Sequence, residues 1–344
     1  MVSSIESVGF IGWLPCLGRF SFIVRIIFWH IPFTRSPISQ QSDRAYFLAC
    51  QYVFSFQIRI IDTMRDKMKV GMGQLLVEGG EPLRNLERAD KMIQEASQKG
   101  CDLILLPETL DLGWTHPSAL TEAQPIPGPY SDRLCDNARE YHIYVCAGLT
   151  EKLGDRVYNS ALLIDSDGEI VLKYHKINEL TVGHKFYAIG QSLFVIDTVF
   201  GKIGVNICAD NYMDGLPIGH TLARMGAQII LSPSSWTVDY SVTETDDPYK
   251  EKWIKPYSTL AKLYNLVILG TTSVGYIVGG PYEGKKMVGC SLAVDKNGIV
   301  VQGLFNEFAG ELIVADIRIP ERVEKGTEIG QMLMKTGYRF DTNL

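Results

Sequence analysis

Apolar strand segments alternate with amphipathic helical segments along most of this chain, from Lys69 to a last strand predicted at residues 311–317. A helix is predicted at residues 82–100, because apolar residues recur there with helical spacing and a glycine ends the pattern. Residues 101–108 form a continuous apolar run, which is typical of a strand covered on both faces. Hairpins interrupt the alternation, one of them at the DSDG turn of residues 165–168. The mixture predicts an α/β fold in which helices cover mixed sheets.

The same patterns continue toward the carboxyl end of the chain. A hairpin is predicted at residues 193–208, and helices are predicted at residues 221–228 and 252–265. Neither an internal repeat nor a low-complexity linker divides the sequence after residue 66. We therefore expect one catalytic domain over residues 67–320, followed by a less regular tail at 321–344.

Residues 1–66 differ in character from the rest of the chain. They are weakly hydrophobic, but Arg19 and Arg25 interrupt the apolar stretch before it reaches the roughly 20 residues that span a bilayer. A signal anchor or a targeting segment is one interpretation, although a small-residue cleavage pattern is absent. The other is an extension outside the fold that arises from an over-extended gene start, and this interpretation is favoured. No association with a membrane is expected.

Charge and cysteine usage exclude several classes of protein. The formal net charge is −6 and the sequence contains no Lys/Arg tract, which argues against a nucleic-acid partner. The seven cysteines are scattered without a CxxC pair or a His/Cys cluster. This usage favours a reducing compartment, hence a cytoplasmic location, and it predicts neither a disulfide framework nor a metal site.

Three chemically active side chains each follow a predicted strand. Glu108 ends the apolar run CDLILLPE, Lys176 ends EIVLKYHK, and Cys208 closes GKIGVNIC before the polar turn ADNYMDG. Backbone N–H groups in such a turn are expected to lower the pKa of the thiol and to offer donors to an oxyanion. Taken singly, each residue has an ordinary explanation: a core cysteine, a solvated loop carboxylate and an edge lysine. Their combination favours a covalent hydrolase site.

The three groups suffice for hydrolysis of a carbon–nitrogen bond without a cofactor or a metal. Glu108 is predicted to take the proton of Cys208 as the sulfur attacks, and later to activate water. Lys176 and the N–H of Ala209 are predicted to stabilise the negative charge that develops on the substrate. The expected intermediate is a thioester on Cys208.

The segments LILLPETLDLGW, KYHKIN and GVNICADNY resemble the signature segments of the nitrilase superfamily of carbon–nitrogen hydrolases. The resemblance implies a four-layer αββα sandwich with two mixed sheets, and a homodimer or higher homo-oligomer whose tail reaches the partner subunit. It also implies that Glu108 is the general base, Lys176 the oxyanion-stabilising lysine and Cys208 the nucleophile. Many members carry a second glutamate after the lysine. Glu179 either takes that part or is a surface charge.

Departures from the family pattern bear on the substrate. Asn178 stands where relatives that act on N-carbamoyl amino acids often have histidine, and Ala209–Asp210 stands where true nitrilases tend to have Trp-Glu. Asn211 replaces an arginine that is common in relatives with carboxylate-bearing substrates, which weakens the case for an anionic substrate. His175 and His184, which flank the lysine segment, are interpreted as structural.

Aromatic residues near the three segments are candidates for the wall of a substrate pocket, although ordinary core packing is an equal alternative for each. They are Trp114, Tyr212, Trp236 and Tyr187. The predicted function is hydrolysis of a small amide, with water as co-substrate and with release of ammonia or an amine. A nitrilase or an N-carbamoyl-amide hydrolase with the same three groups is the alternative among enzymes. A catalytically silent binding or scaffold relative is the alternative outside them.

Overall fold

The computed structural model describes residues 65–246, 249–322 and 335–337. The predictions for residues 1–64 and for most of the tail at 321–344 therefore lie outside the described residues. Regular structure in the described part runs from Lys67 to Arg318, apart from a single helical residue at Lys335. None of its helices is both long enough and apolar enough to cross a bilayer.

Fifteen strands form in the described part of the chain, in three sheets. They are β1 (Lys67–Gln74), β2 (Leu103–Leu105), β3 (Tyr144–Leu153), β4 (Arg156–Ile164), β5 (Ile170–His175), β6 (Val195–Thr198), β7 (Gly201–Val205), β8 (Ile229–Ser234), β9 (Thr237–Val238), β10 (Val267–Thr272), β11 (Val274–Tyr276), β12 (Lys286–Val288), β13 (Leu292–Asp295), β14 (Gly298–Gln302) and β15 (Glu311–Arg318).

Two six-stranded sheets face each other, with orders β15-β1-β2-β3-β4-β5 and β14-β13-β10-β8-β7-β6. In the first sheet β1, β2 and β3 are parallel, whereas β4 is antiparallel to both β3 and β5. In the second sheet β7, β8 and β10 are parallel, whereas β6 is antiparallel to its neighbour β7 and β13 is antiparallel to its neighbour β10. Strands β9, β11 and β12 form a small third sheet. The prediction of mixed sheets is confirmed.

Helices cover the outer face of each large sheet. The helices in the described chain are α1 (Pro82–Gln98), α2 (Ala119–Glu122), α3 (Pro129–Tyr141), α4 (Pro217–Arg224) and α5 (Lys255–Tyr264). Apolar residues of α1 and α3 pack with outward-facing residues of β3 and β4 in one buried cluster. Helix α5 packs on β10 and β13, and α4 packs beside α5. Because β1, β2 and β3 lie against β8 and β10, the layers are helix, sheet, sheet and helix, as the family resemblance implies.

Several predicted boundaries are wrong by a few residues. Helix α4 begins at Pro217 and ends at Arg224, not at 221–228, because proline is accepted in the first turn and Gly226 adopts a φ of +104°. Helix α5 begins at Lys255, since a π-helical turn, Lys250–Ile254, precedes it. The hairpins predicted at the DSDG turn of residues 165–168 and at residues 193–208 form.

The strand predicted at residues 101–108 is also shorter in the structure. Only Leu103–Leu105 pair in the ladder. Pro107 has no N–H to donate, and the N–H of Glu108 donates to the carbonyl of Ser234 at the end of β8 in the other sheet, at 3.3 Å. Glu108 is thereby placed between the two sheets.

Candidate active site

Three strand ends converge between the two large sheets. Strand β5 runs in the same direction as β2, because β4 is antiparallel to both β3 and β5, so the carboxyl ends of β2 and β5 share one edge. Lys176 follows β5 directly, and Cys208 opens a 3₁₀ turn, Cys208–Asn211, after β7 of the second sheet. Glu108, Lys176 and Cys208 are exposed by only 1%, 1% and 6%. The structure therefore brings together the three groups that the sequence singles out.

An ion pair joins the carboxylate and the ammonium. Nζ of Lys176 donates to Oε1 of Glu108 at 2.7 Å, and it lies 5.8 Å from the ring centre of Trp114. Burial alone would lower the pKa of Lys176, but the charges of Glu108 and Glu179 raise this pKa well above its usual range. The lysine is therefore a fixed positive charge in a site that excludes bulk water.

Glu179 belongs to the same cluster. Its Oε1 lies 3.6 Å from Nζ of Lys176, and the residue is only 8% exposed. The alternative of a surface charge is wrong for this reason. Burial, together with the negative charge of Glu108, raises the pKa of Glu179 even though Lys176 lowers it.

Asn159, which the sequence analysis did not single out, links the two carboxylates. Its Nδ2 donates to Oε1 of Glu108 at 2.6 Å and to Oε1 of Glu179 at 2.8 Å. The backbone carbonyl of Asn159 also accepts the backbone N–H of Lys176, at 2.9 Å. A sequence signal was available: Asn159 alternates with Ala161 and Leu163 on the inward face of β4, where a polar side chain must have buried partners.

Cys208 has a strained backbone and a protonated thiol. Its φ is +46°, a left-handed conformation that non-glycine residues seldom adopt, and its N–H donates to Oγ of Ser232 at 3.2 Å. Burial and the negative charge of Glu108 raise the pKa of the thiol well above its usual value, although Lys176 opposes them. The expectation that turn amides would lower this pKa is wrong, because desolvation and the adjacent carboxylate outweigh those amides.

The candidate wall residues lie in two groups. Trp114, 5% exposed, borders the ammonium of Lys176 and contacts Tyr282 edge-on at 5.2 Å. Trp236 stacks on Trp253 at 4.5 Å within an aromatic core cluster, so core packing explains the burial of Trp236. Tyr212 packs on the same cluster, 4.9 Å from Trp253. Burial raises the pKa of Tyr212, and the neighbouring Cys208 raises it further.

Two further predicted residues are buried beside these walls. Ala209 is 3% exposed in the turn that follows the thiol, where it was predicted to offer an N–H. The hydroxyl of Tyr187 accepts the N–H of Thr115 at 3.0 Å, so this tyrosine fixes the loop that carries Trp114.

A narrow cavity borders Trp114 and Ser235. The hydroxyl of Ser235 donates to the carbonyl of Glu108 at 3.3 Å, and a hydrogen bond from the backbone of Ser235 lowers the pKa of Cys208. Trp114 and Ser235 therefore border both this cavity and the reactive groups, although Glu108, Lys176 and Cys208 do not themselves line the cavity. Its remaining lining residues are Val77, Gly79, Gly113, His116, Ser273, Ile277, Val278 and Met287.

Comparison with known proteins identifies the family. The sequence profile of the family described as carbon-nitrogen hydrolase matches residues 69–324, nearly three quarters of the chain. This chain belongs to the carbon–nitrogen hydrolase family. The resemblance to the nitrilase superfamily is thereby confirmed.

Three curated relatives illustrate the similarity of this carbon–nitrogen hydrolase to known proteins. A nitrilase from Pyrococcus abyssi is 36% identical over 51% of this chain and 67% of its own length. The chloroplastic omega-amidase of Arabidopsis thaliana is 29% identical over 50% of each chain. An omega-amidase of Xenopus tropicalis is 29% identical over 50% of this chain and 65% of its own length. The aligned region thus spans between half and two thirds of these relatives.

Solved structures support the fold of the carbon–nitrogen hydrolase. A mutant of the Nesterenkonia AN1 amidase from the nitrilase superfamily superposes with a TM-score of 0.63 at 19% identity, covering 74% of this chain and 92% of that one. A mutant of the same amidase in complex with butyramide gives 0.62 at 19% identity, covering 73% and 91%. At this identity the likeness establishes the four-layer architecture alone.

One departure from the family pattern, Asn211, and one histidine beside the lysine now have a structural explanation in this carbon–nitrogen hydrolase. Asn211 is fully buried, exchanges two side-chain hydrogen bonds with Asn206 at 2.8 and 2.9 Å, and donates to Oγ of Ser232. The position therefore supplies no cation to a substrate. Nε2 of His175 donates to Oε2 of Glu151 at 2.7 Å on the outer face of the first sheet, which fits the interpretation of this histidine as a structural residue.

Proposed function

We propose that this carbon–nitrogen hydrolase is an amidase that cleaves a small uncharged amide through a thioester on Cys208. The observation that carries the proposal is the buried Glu108–Lys176 pair, with 2.7 Å between Oε1 and Nζ, directly beside the Cys208 thiol. A base, a fixed positive charge and a nucleophile at one point are what acyl transfer from an amide requires.

The first half-reaction forms the thioester. Because the resting thiol is protonated, Glu108 takes its proton as the sulfur attacks the carbonyl carbon. Charge develops on the carbonyl oxygen, where the ammonium of Lys176 and the N–H of Ala209 stabilise it. Glu108 then returns the proton to the leaving nitrogen as the carbon–nitrogen bond breaks. Ammonia or an amine leaves, and the acyl group stays on Cys208.

The second half-reaction restores the enzyme. Glu108 takes a proton from water, and the resulting hydroxide attacks the thioester carbon. The carbon–sulfur bond breaks, the thiolate of Cys208 regains a proton from Glu108, and the carboxylic acid leaves. Glu179 and Asn159 keep Glu108 and Lys176 in place throughout, since both contact this pair directly.

The hydrogen-bonding capacity of the site favours an amide over a nitrile. Within the described residues, Oε2 of Glu108 and Oε2 of Glu179 are buried without a hydrogen-bond donor. A primary amide brings N–H groups that can donate to Oε2 of Glu108, whereas a nitrile brings none; Oε2 of Glu179 instead faces Gly183. Leaving buried acceptors unpaired costs roughly 1–3 kcal/mol each, so the amide is the better substrate.

The cavity beside Trp114 favours a short, uncharged acyl group. Among the described residues that line it, there is no Lys, Arg, Asp or Glu. Burial lowers the pKa of His116, which keeps this imidazole neutral near pH 7. A carboxylate placed there would lose its hydration without gaining a counter-ion. The relatives named omega-amidase act on amides by name, which supports an amide as the substrate.

Ammonia release from a panel of butyramide, propionamide, the matching nitriles and N-carbamoyl amino acids tests the proposal. We expect the two amides to be the best substrates, and Cys208→Ala to abolish release from all of them. The acyl-enzyme should appear by intact mass spectrometry after rapid acid quench of the wild type. Preference for nitriles or carbamoyl compounds would move the assignment to the alternative enzymes. An inactive wild type with every compound would favour the scaffold alternative.

Three further expectations stay predictions. They are a cytoplasmic location, assembly as a homodimer or higher homo-oligomer, and the domain limits 67–320 with flanking segments at 1–66 and 321–344. Size-exclusion chromatography with light scattering tests the assembly directly. A truncated chain that starts at residue 65 tests the limits, and we expect it to fold and retain activity.

A further inference from the structure

One buried carboxylate connects the segment that carries Lys176 to the turn that carries Cys208. Oδ2 of Asp210 accepts the hydroxyl of Tyr174 at 2.7 Å, and Oδ1 accepts the N–H of Asn178 at 2.9 Å. Tyr174 is the second residue before the lysine and Asn178 the second after it. Asp210 is the second residue after the cysteine. The two segments belong to different sheets, so this contact crosses the layer between them.

The same carboxylate also holds the strained turn. Oδ2 of Asp210 accepts the N–H of Ile207 at 2.9 Å, immediately before the left-handed Cys208. The hydroxyl of Tyr174 in turn accepts the N–H of Ile177 at 3.1 Å, immediately after Lys176. The residues that flank the nucleophile and the lysine are therefore joined through one phenol and one carboxylate.

We infer that Asp210 and Tyr174 form a positioning pair that fixes the distance between Nζ of Lys176 and Sγ of Cys208. Both are buried, with 0% and 1% exposure, so bulk water does not compete for their hydrogen bonds. An oxyanion donor must be placed to within about 0.5 Å to be effective, which a lysine side chain cannot achieve without a fixed backbone. The inference rests on the proposed roles of Lys176 and Cys208, but neither positioning residue touches the substrate.

Tyr174→Phe is the variant that tests the pair most directly, because it removes a single oxygen. We expect kcat for amide hydrolysis to fall at least tenfold while KM changes less than twofold, since the substrate pocket stays intact and only the reacting geometry shifts. Asp210→Asn presents an amide N–H₂ to backbone donors and should lower kcat by at least as much. The double variant should be no slower than the slower single variant, because both changes break the same connection.

Ser160→Ala is the matched control. The hydroxyl of Ser160 donates to Oε2 of Glu151 at 2.7 Å, and both residues are fully buried, but on the outer face of the first sheet. Its melting temperature should fall by a similar amount to that of Tyr174→Phe, and its kcat should stay within twofold of the wild type.

Defined results would overturn the inference. Tyr174→Phe with a normal kcat, or with a loss of kcat no larger than that of Ser160→Ala, would reduce the pair to a structural role. Multiplicative losses in the double variant would mean that the two residues act separately. If Asp210→Asn does not fold, the kcat and KM of Tyr174→Phe decide alone. Failure of the proposed function is distinguishable, because Cys208→Ala would then retain activity.

Discussion

Nζ of Lys176 donates to Oε1 of Glu108 at 2.7 Å in the resting site, so the positive charge and the base neutralise each other before any substrate binds. This pairing allows two ionised groups to remain in a buried cluster. It also couples their functions: the proton that Glu108 receives from the thiol removes its negative charge. The ammonium is then free to stabilise the negative charge on the substrate.

Glu108→Gln should separate thiol reactivity from turnover. Amide hydrolysis should fall at least about a hundredfold, because the general base is lost. Alkylation of Cys208 by iodoacetamide should become faster at pH 8, since the negative charge that raises the thiol pKa is gone while Lys176 remains. Ammonia release measures the hydrolysis. Site-resolved mass spectrometry measures the alkylation, with buried Cys146 as an internal control that stays unlabelled. Slower alkylation in the variant would contradict the assigned influence of Glu108.

Lys176→Met should lower kcat at least about a hundredfold, as expected for loss of an oxyanion-stabilising group. Lys173→Met is the matched control, because Lys173 lies on β5, the strand that Lys176 follows, and pairs with Glu151 at 2.6 Å on the outer face of the sheet. Steady-state ammonia release should show the loss in the first variant and a rate within twofold of the wild type in the second. Equal rates for both variants would remove Lys176 from the site.

Asn159→Ala should impair both stability and activity. The substitution removes the donor that Glu108 and Glu179 share, and a buried acceptor without a partner costs roughly 1–3 kcal/mol. We expect a lower free energy of unfolding in urea and at least a tenfold loss in kcat. Asn137→Ala is the matched control, because Nδ2 of half-buried Asn137 also donates to two oxygens, of Asp90 and Arg133, but in the outer helical layer; its stability should fall while its kcat stays within twofold of the wild type. A fully active Asn159→Ala enzyme would show that the bridge is dispensable.

Glu151 should contribute a pH-dependent part of the stability. Burial would raise the pKa of Glu151, but hydrogen bonds from His175, Lys173 and Ser160 bring it below its usual 4.5. A carboxyl whose pKa is lower in the folded state contributes stability that is fully present above its unfolded pKa of 4.5. This contribution is lost as the pH falls through the lower pKa of the folded state. Glu151→Gln should therefore be less stable than the wild type at pH 7, and the difference should shrink toward pH 3. Thermal unfolding across this range tests the sign, and a constant difference would contradict it.

Much of the architecture follows from local patterns. The alternation of strands, helices and hairpins predicts the layered mixed sheets, because periodicity reports which faces are covered. Errors arise at boundaries such as Leu105, where Pro107 and a hydrogen bond to the other sheet end the ladder. Placement after predicted strands singles out Glu108, Lys176 and Cys208, the family resemblance implies their roles, and the structure brings them together.

The sequence by itself determined which reactive groups follow strands and which family the chain resembles, because both depend on neighbours along the chain. Only the tertiary structure decided the burial of Glu179, the bridging position of Asn159 and the contact between Asp210 and Tyr174. It also reversed the expected shift in the pKa of Cys208. These properties arise from desolvation and from charges that are distant in sequence but adjacent in space, and no local pattern specifies such distances.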